Sequence, residues 1–373
     1  MQEQQHGSDF IDIAVPLIIA VAIIAGAVLF LYNNGTIASI QKGLFNASAL
    51  STNITSVTSP YQTTTAAQQQ GGSTTGVQPN STMASIYNYT LSLINSNREA
   101  YGLQPVSLSY EISAQQHADS MLQYGYLSHW DTYGMKPYMR YTLVGGRGAV
   151  SENVAYVQNE SCSALFGCRG NINVRQAIYS MENSMMYNDS ICCDNGHRDN
   201  ILDPNHNQVS IGIAYNSSTV YLVEDFIDNY TEWAGGTPSY SGGNVYLKGT
   251  LEDGYRISEV LISYDPPVTN MSVAQLRNTS EYSYGSTIAG VVSNQYSYYN
   301  NISTIVASRY VTSGSSFDIE FSMANLTSRY GPGEYTLMLW MNSTSYPAGF
   351  IGSTYTIFVN SSGGSYIPDG GRV

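Results

Sequence analysis

The spacing of apolar positions changes period along the chain, and each change marks a boundary. Residues 13–32 form an unbroken run of apolar or small side chains. As a helix rising about 1.5 Å per residue it would span roughly 30 Å, the thickness of bilayer hydrocarbon. A single transmembrane helix is therefore expected over 10–32, behind a short flank at 1–9. Pro16 falls in the first turn, where a missing amide costs little. No Lys or Arg precedes the run and no small-x-small cleavage site follows it closely, which favours a retained anchor over a cleaved signal peptide. Residues 33–83 are Ser/Thr/Gln-rich, too poor in burial to offset ordering entropy, and read as a stalk.

From 84 to 233 the period is helical first. Ile86, Tyr89, Leu93 and Ile94 predict a helix ending before Gly102, and Ile112, Gln115, Ala118, Met121 and Leu122 a second reaching Gly125. A third is predicted over 174–187. Alternation then appears at Val209, Ile211 and Ile213 and at Val220, Leu222 and Glu224, a hairpin about Asn216–Ser218. Helices followed by a short antiparallel sheet give an α+β layered domain. A Gly-rich linker at 234–243 leads to a region of period two, with strands centred on Leu247, Ile262, Ile319, Leu339 and Ile357. These predict an antiparallel, immunoglobulin-like β-sandwich over 244–361, then a flexible tail at 362–373.

Charge narrows the partners. The 373 residues carry 14 Lys and Arg against 27 Asp and Glu, a net charge of -13, so a phosphate-binding surface is not expected and nucleic acid is excluded as a partner. Glycosylation sequons stand at Asn34, Asn46, Asn53, Asn80, Asn88, Asn159, Asn188, Asn216, Asn229, Asn270, Asn278, Asn301, Asn325, Asn342 and Asn360, all after the apolar run. Some arise by chance in so Asn- and Ser-rich a chain, but their excess favours an exported surface. Cys162, Cys168, Cys192 and Cys193 lack zinc-ribbon spacing and point to two disulfides. Of the three possible connectivities, those joining the 162–168 loop to the adjacent pair are favoured, because bonding Cys192 to Cys193 would be strained.

The chemistry concentrates between 128 and 197. His129 sits in a loop, Glu152-Asn153 beside a turn signal, and His197 opens Gly196-His197-Arg198. Two imidazoles and a carboxylate are the material of a metal or proton-transfer site. His129 and Glu152 could equally bond each other and pin the loops around the cleft. His117, among Ala114, Ala118 and Met121, reads as a packed helix residue, and His206 as turn chemistry. No His-Glu-x-x-His, Gly-x-Ser-x-Gly, phosphate-loop or EF-hand pattern occurs.

The run of motifs Asn95-x-x-Arg98-x-x-x-Gly102-Leu103-x-Pro105, Ala114-x-x-His117-Ala118-x-x-Met121, His129, Glu152-Asn153-x-Ala155, Gly196-His197-Arg198-x-Asn200-Ile201-Leu202, Ile211-Gly212-Ile213-Ala214 and Asp225-Phe226 resembles the CAP superfamily. That group comprises cysteine-rich secretory proteins, antigen 5 and plant pathogenesis-related type 1 proteins and is also called the SCP domain. The likeness is closest to its prokaryotic branch. It implies an α-β-α sandwich whose cleft gathers two histidines and two acids, able in some members to hold zinc or another divalent cation. Carried over, His129, His197 and Glu152 are three of the four. Tyr179-x-x-Glu182 supplies Glu182 as the fourth, whereas a register with Met181 at the aromatic position leaves Ser184 there.

Three functions fit these observations. The favoured one is a single-pass, glycosylated cell-surface protein whose extracellular cleft binds a divalent metal and a glycan, lipid or peptide. The others are a metal-assisted hydrolase of envelope material, with Glu152 as the candidate catalytic group, and an adhesin or filament subunit using the domain as scaffold. Oligomeric state and substrate are not legible.

Overall fold

A computed structural model describes residues 81–371, apart from 160–161, 164–166, 169–170, 192 and 280. The expected membrane span and stalk lie outside the described residues. Among the described residues no helix is long and apolar enough to cross a membrane.

The first half of the described chain is a three-layer arrangement. Its central sheet has the order β1-β5-β6-β2, built from β1 (Ser107–Ser109), β2 (Ala149–Gln158), β5 (Gln208–Tyr215) and β6 (Thr219–Asp228). β1 runs parallel to β5, and β5-β6-β2 are antiparallel, with β2 at an edge. A minor ribbon pairs β3 (Cys162–Ser163) with β4 (Gly167–Cys168). One face of the main sheet is covered by α1 (Ser81–Ala100) and α4 (Val174–Tyr187), which bury Tyr87, Ile94, Ile178 and Met186 against Val209, Ile211 and Leu222. The other face carries α2 (Ser113–Tyr124) through Ala114, Ala118 and Met121 on Val154, Ala214 and Val223. Residues of one face alternate with those of the other along each strand, which is why both helical layers find apolar partners.

Several motif residues are explained by this packing. A Cβ at Gly212 would lie 2.1 Å from the Ala114 carbonyl oxygen, so only glycine lets α2 approach β5 this closely. Asn95 pairs with both backbone groups of Val106, through Nδ2 to the carbonyl (3.0 Å) and Oδ1 from the amide (2.8 Å). Arg98 is wholly buried and donates to the carbonyls of Gln104, Ile201, Asp203 and His206. It thereby satisfies the C-terminal end of α5 (Gly196–Ile201), the short helix that carries His197 in its first turn.

Two elements differ from the expectation of late β structure. β2 is ten residues long and contains Glu152 and Asn153, and α3 (Pro137–Leu143) precedes it. The first six residues of β2 are buried almost throughout on both faces, so no clean alternation marks that part.

The second half packs two sheets about one core. The first has the order β12-β11-β10-β15-β16 and the second β13-β14-β9-β7, with β8 also on β9; β8 is Ser239–Ser241, β13 Arg309–Ser313 and β14 Ser316–Ser322. The members used below are β7 (Thr231–Trp233), β9 (Asn244–Leu251), β10 (Arg256–Asp265), β11 (Ser286–Val292), β12 (Ser303–Val306), β15 (Gly333–Asn342) and β16 (Phe350–Val359). Val245, Leu247, Phe317 and Ile319 of one sheet meet Val260, Ile262, Leu337 and Leu339 of the other. The sandwich is not wholly antiparallel, because β11 and β12 pair in parallel. Nor does it begin cleanly at the Gly-rich stretch, since β7 already pairs with β9. The stretch expected to be a flexible tail is packed: Tyr366 N–H donates to the Phe358 carbonyl, and Gly370 abuts Met135 and Tyr133.

The two halves share a further apolar cluster. Met135, Tyr138, Met139, Tyr141, Val150 and Ile227 bury with Phe358 of β16, beside Val268, Tyr282 and Tyr284.

Candidate functional site

A cleft of ≈ 680 Å³ opens along the free edge of β2. His129, Glu152 and His197, the three residues singled out by spacing and type, all line it. They come from a loop, a strand and a helix N-terminus, and each is held by a separate set of partners.

On one side of the sheet, His129 Nδ1 lies 2.9 Å from Glu152 Oε1, while Arg140 Nη2 donates to Glu152 Oε2 at 2.6 Å. The same guanidinium donates through Nη1 to the backbone carbonyls of His129 (2.8 Å) and Met135 (2.9 Å). One arginine thus fixes both the loop carrying the imidazole and the carboxylate that orients it. Burial pulls the His129 imidazole down to about 4, helped by Arg140, and pushes the Glu152 carboxyl up to about 7 against the pull of Arg140. His129 is then a neutral ring whose Nδ1–H donates to Glu152, a tautomer assigned from its partner.

Behind Glu152 stands Asp225, its register neighbour on β6 and on the same face. Burial and the Glu152 charge raise Asp225 well above the ordinary range, so it holds a proton that it shares with Glu152. Ser113 Oγ donates to its other oxygen at 2.8 Å. His117 is fully enclosed; its Nε2 lies 2.7 Å from the Ser128 carbonyl and 4.0 Å from Glu152. Burial and Arg140 push His117 far below the usual histidine range, in keeping with the packed helix residue expected from sequence.

On the other side, His197 Nδ1 lies 2.7 Å from Asp189 Oδ1, and Asp189 Oδ2 accepts the His197 and Arg198 amides. Asp189 therefore caps α5 and orients its first imidazole at once. Asn153 Nδ2 donates to the His197 carbonyl, Asn200 Nδ2 to Asn153 Oδ1, and His206 bridges Asn200 to Asp228. His206 is thus a buried support of the His197 helix, a larger part than turn chemistry alone.

Each imidazole is backed by a carboxylate. Their carboxylate partners are buried, at 0% and 1% exposure, while the rings keep 13% and 16%. With Nδ1 engaged, Nε2 is the nitrogen each ring offers to the cleft. Carboxylate-backed imidazoles of this kind are the usual form of protein metal ligands.

The acids expected as ligands are committed elsewhere. Both Glu152 oxygens are engaged by His129 and Arg140. Glu182 is not among the residues lining the cleft. It accepts from Asn97 Nδ2 at 2.9 Å and faces Glu224, and burial raises both carboxyls so that the pair shares a proton. Asp189, Cys193 and His197 do place ligand-type atoms within 4.8 Å of one another. Cys193 is disulfide-bonded, however, so its sulfur is no thiolate. The residues present do not fit a closed set of His129, His197, Glu152 and Glu182; the groups that the cleft leaves to a cation are the two imidazoles that line it. Asp199, Asp203 and Glu281 add acidic character to the rim.

Arg140, Asp189, Asp225 and Tyr282 carry much of this geometry and were not identified as site residues from sequence. Arg140 was the most accessible of them, a cation in an apolar stretch of a chain with only 14 Lys and Arg. Asp225 stood in a quoted motif without a role. Asp189 and Tyr282 had no local signal.

Residues 91–226 match the model of the cysteine-rich secretory protein family, CAP. Among solved structures, the chain is similar to an extracellular protein containing a SCP domain from Bacillus anthracis str. Ames, at 18% identity, TM-score 0.28, over 38% of this chain and 39% of that one. The chain thus spans well under half of that protein's length in the comparison. No curated protein matches.

Proposed function

We propose that this is an exported surface protein whose CAP cleft binds a divalent cation, zinc or a similar ion, through the Nε2 atoms of His129 and His197. The observation that carries this is the pair of carboxylate-backed imidazoles opening on one cleft. Two nitrogen ligands leave the remaining coordination positions to water or to an incoming polar ligand, so affinity would be modest and the ion exchangeable. Such an ion supplies Lewis-acid polarisation of an oxygen brought to it. The chain's own residues orient the two rings and fill the rim with carboxylates, which favour a cation and polar ligands such as a glycan or peptide. Disulfide-bonded Cys193 and the sequons support an oxidising, extracellular setting, with the run at 10–32 as anchor.

Hydrolysis is the second reading, favoured by the elevated Glu152 carboxyl, which could accept a proton near neutrality. Its commitment to Arg140 and His129 makes it better placed to hold than to react.

Zinc titration followed by calorimetry tests the first reading. Binding in the micromolar range is expected, with at least a tenfold loss in His129→Ala and in His197→Ala and little change in Glu182→Gln. Zinc binding that survives loss of both histidines would overturn it.

A further inference from the structure

A strap of the chain beyond residues 91–226, at residues 281–284, reaches the cleft. Glu281 and Tyr282 line it together with His129 and Glu152. The Tyr282 ring sits 4.8 Å from the His129 ring, centroid to centroid, tilted by 52°. Its hydroxyl accepts the Glu152 amide at 2.9 Å. That amide belongs to the free edge of β2, where no further strand supplies an acceptor. A phenol from the other half of the chain therefore touches both members of the pair, one through its face and one through its oxygen.

The strap is fastened on both sides of this contact. Ser128 Oγ donates to the Thr279 carbonyl at 2.7 Å, and the Trp130 indole N–H to the Glu281 carbonyl at 3.1 Å. Lys136 Nζ bonds the Ser283 carbonyl (2.8 Å) and pairs with Asp265 at the end of β10 (2.7 Å). The Met271 amide donates to the Thr132 carbonyl. Gly134, at φ +78, has the Thr269 carbonyl oxygen 2.4 Å from where its Cβ would stand. The loop that carries His129 is thus bound residue after residue to the second half.

We propose that Tyr282 is a positioning residue for His129 and Glu152, so that the cleft of the CAP domain is completed by the second half of the chain. Its ring limits the rotation and solvent access of the imidazole, and its hydroxyl holds the β2 edge that presents the carboxylate. The relevance of this to ligand binding rests on the function proposed above; the positioning itself does not.

The test uses the full chain, metal-free, with Tyr282→Phe and Tyr282→Ala. Carbethoxylation by diethyl pyrocarbonate, mapped by mass spectrometry, reads each histidine separately, and His197 in the same cleft is the internal control. Removing the ring should raise the His129 rate at least fivefold while His197 stays within twofold, and phenylalanine should restore the wild-type rate. Tyr282→Phe should in turn speed hydrogen exchange of the Glu152 amide at least tenfold, a reading that stands even where the alanine variant does not fold. Equal acceleration at both histidines, or no acceleration with an unchanged Glu152 amide, would reduce Tyr282 to inter-module packing and overturn the proposal. A wild-type protein that ignores zinc while its His129 responds selectively to Tyr282→Ala would sink the metal reading alone.

Discussion

His129 and Glu152 titrate in opposite senses, which gives the pair a recognisable signature. The folded imidazole sits at about 4 against an ordinary 6.5, so the unfolded chain binds more protons between those limits. Its contribution to stability is present above 6.5 and lost as pH falls. The folded carboxyl sits at about 7 against 4.5, so its contribution is present below 4.5 and lost as pH rises through 7. Between pH 4.5 and 6.5 the two slopes nearly cancel. His129→Asn should unmask the carboxylate and lose on the order of 2 kcal/mol relative to wild type from about pH 5 to pH 7; Glu152→Gln should gain relative to it over the same interval. Urea unfolding at both pH values decides this, and parallel curves for all three proteins would show that neither group titrates as described. At this scale the sequence displayed the two histidines and the glutamate, because their residue types and motif spacing are conspicuous. It did not display Arg140 or Tyr282, whose roles exist only once α3 and the strap lie against the cleft.

The helices and strands depend on a few close approaches. Gly212→Ala would force a methyl group to within 2.1 Å of the Ala114 carbonyl, in backbone that neither α2 nor β5 can easily yield. A loss of about 3 kcal/mol is expected, measured by denaturant unfolding, because overpacking at backbone cannot be relieved by a rotamer change. A neutral result would mean that α2 can slide on the sheet. Elements with a strong period were legible: α4 spans Val174–Tyr187, as its apolar spacing predicts, and β5-β6 form the hairpin about Asn216–Ser218. α3 and α5, at seven and six residues, are too short to show a helical period. β2 escaped because both faces of its first six residues are covered and its middle carries Glu152 and Asn153, polar residues buried beside the cleft. In the sandwich, β12 and β13 hold Ser and Thr between few apolar residues and are half exposed or exposed, so apolar alternation was too weak to mark them.

For the whole molecule, the balance of buried acids over buried bases sets the response to pH. Among the described residues nine carboxyls are raised by burial: Glu111 and Asp119 to about 6, Glu152 and Glu334 to about 7, and Asp131, Glu182, Glu224, Asp225 and Asp228 also upward. His129 and His117 are displaced downward. A raised carboxyl binds more protons folded than unfolded, so its contribution is complete below its unfolded value and disappears as pH climbs through its folded one. Nine such groups outweigh two histidines of opposite sign. The net charge of -13, which grows as these acids ionise, adds self-repulsion in the same direction. The fold should therefore be most stable on the acid side, near pH 5, and lose stability steadily toward pH 8, with a melting temperature several degrees lower at the upper end. Calorimetric scans across that interval at constant ionic strength give the comparison directly. A melting temperature that rises from pH 5 to pH 8 would mean that the carboxyl pairs Glu152–Asp225 and Glu182–Glu224 do not each share a proton, and with it the account of how the cleft is held from behind would fall.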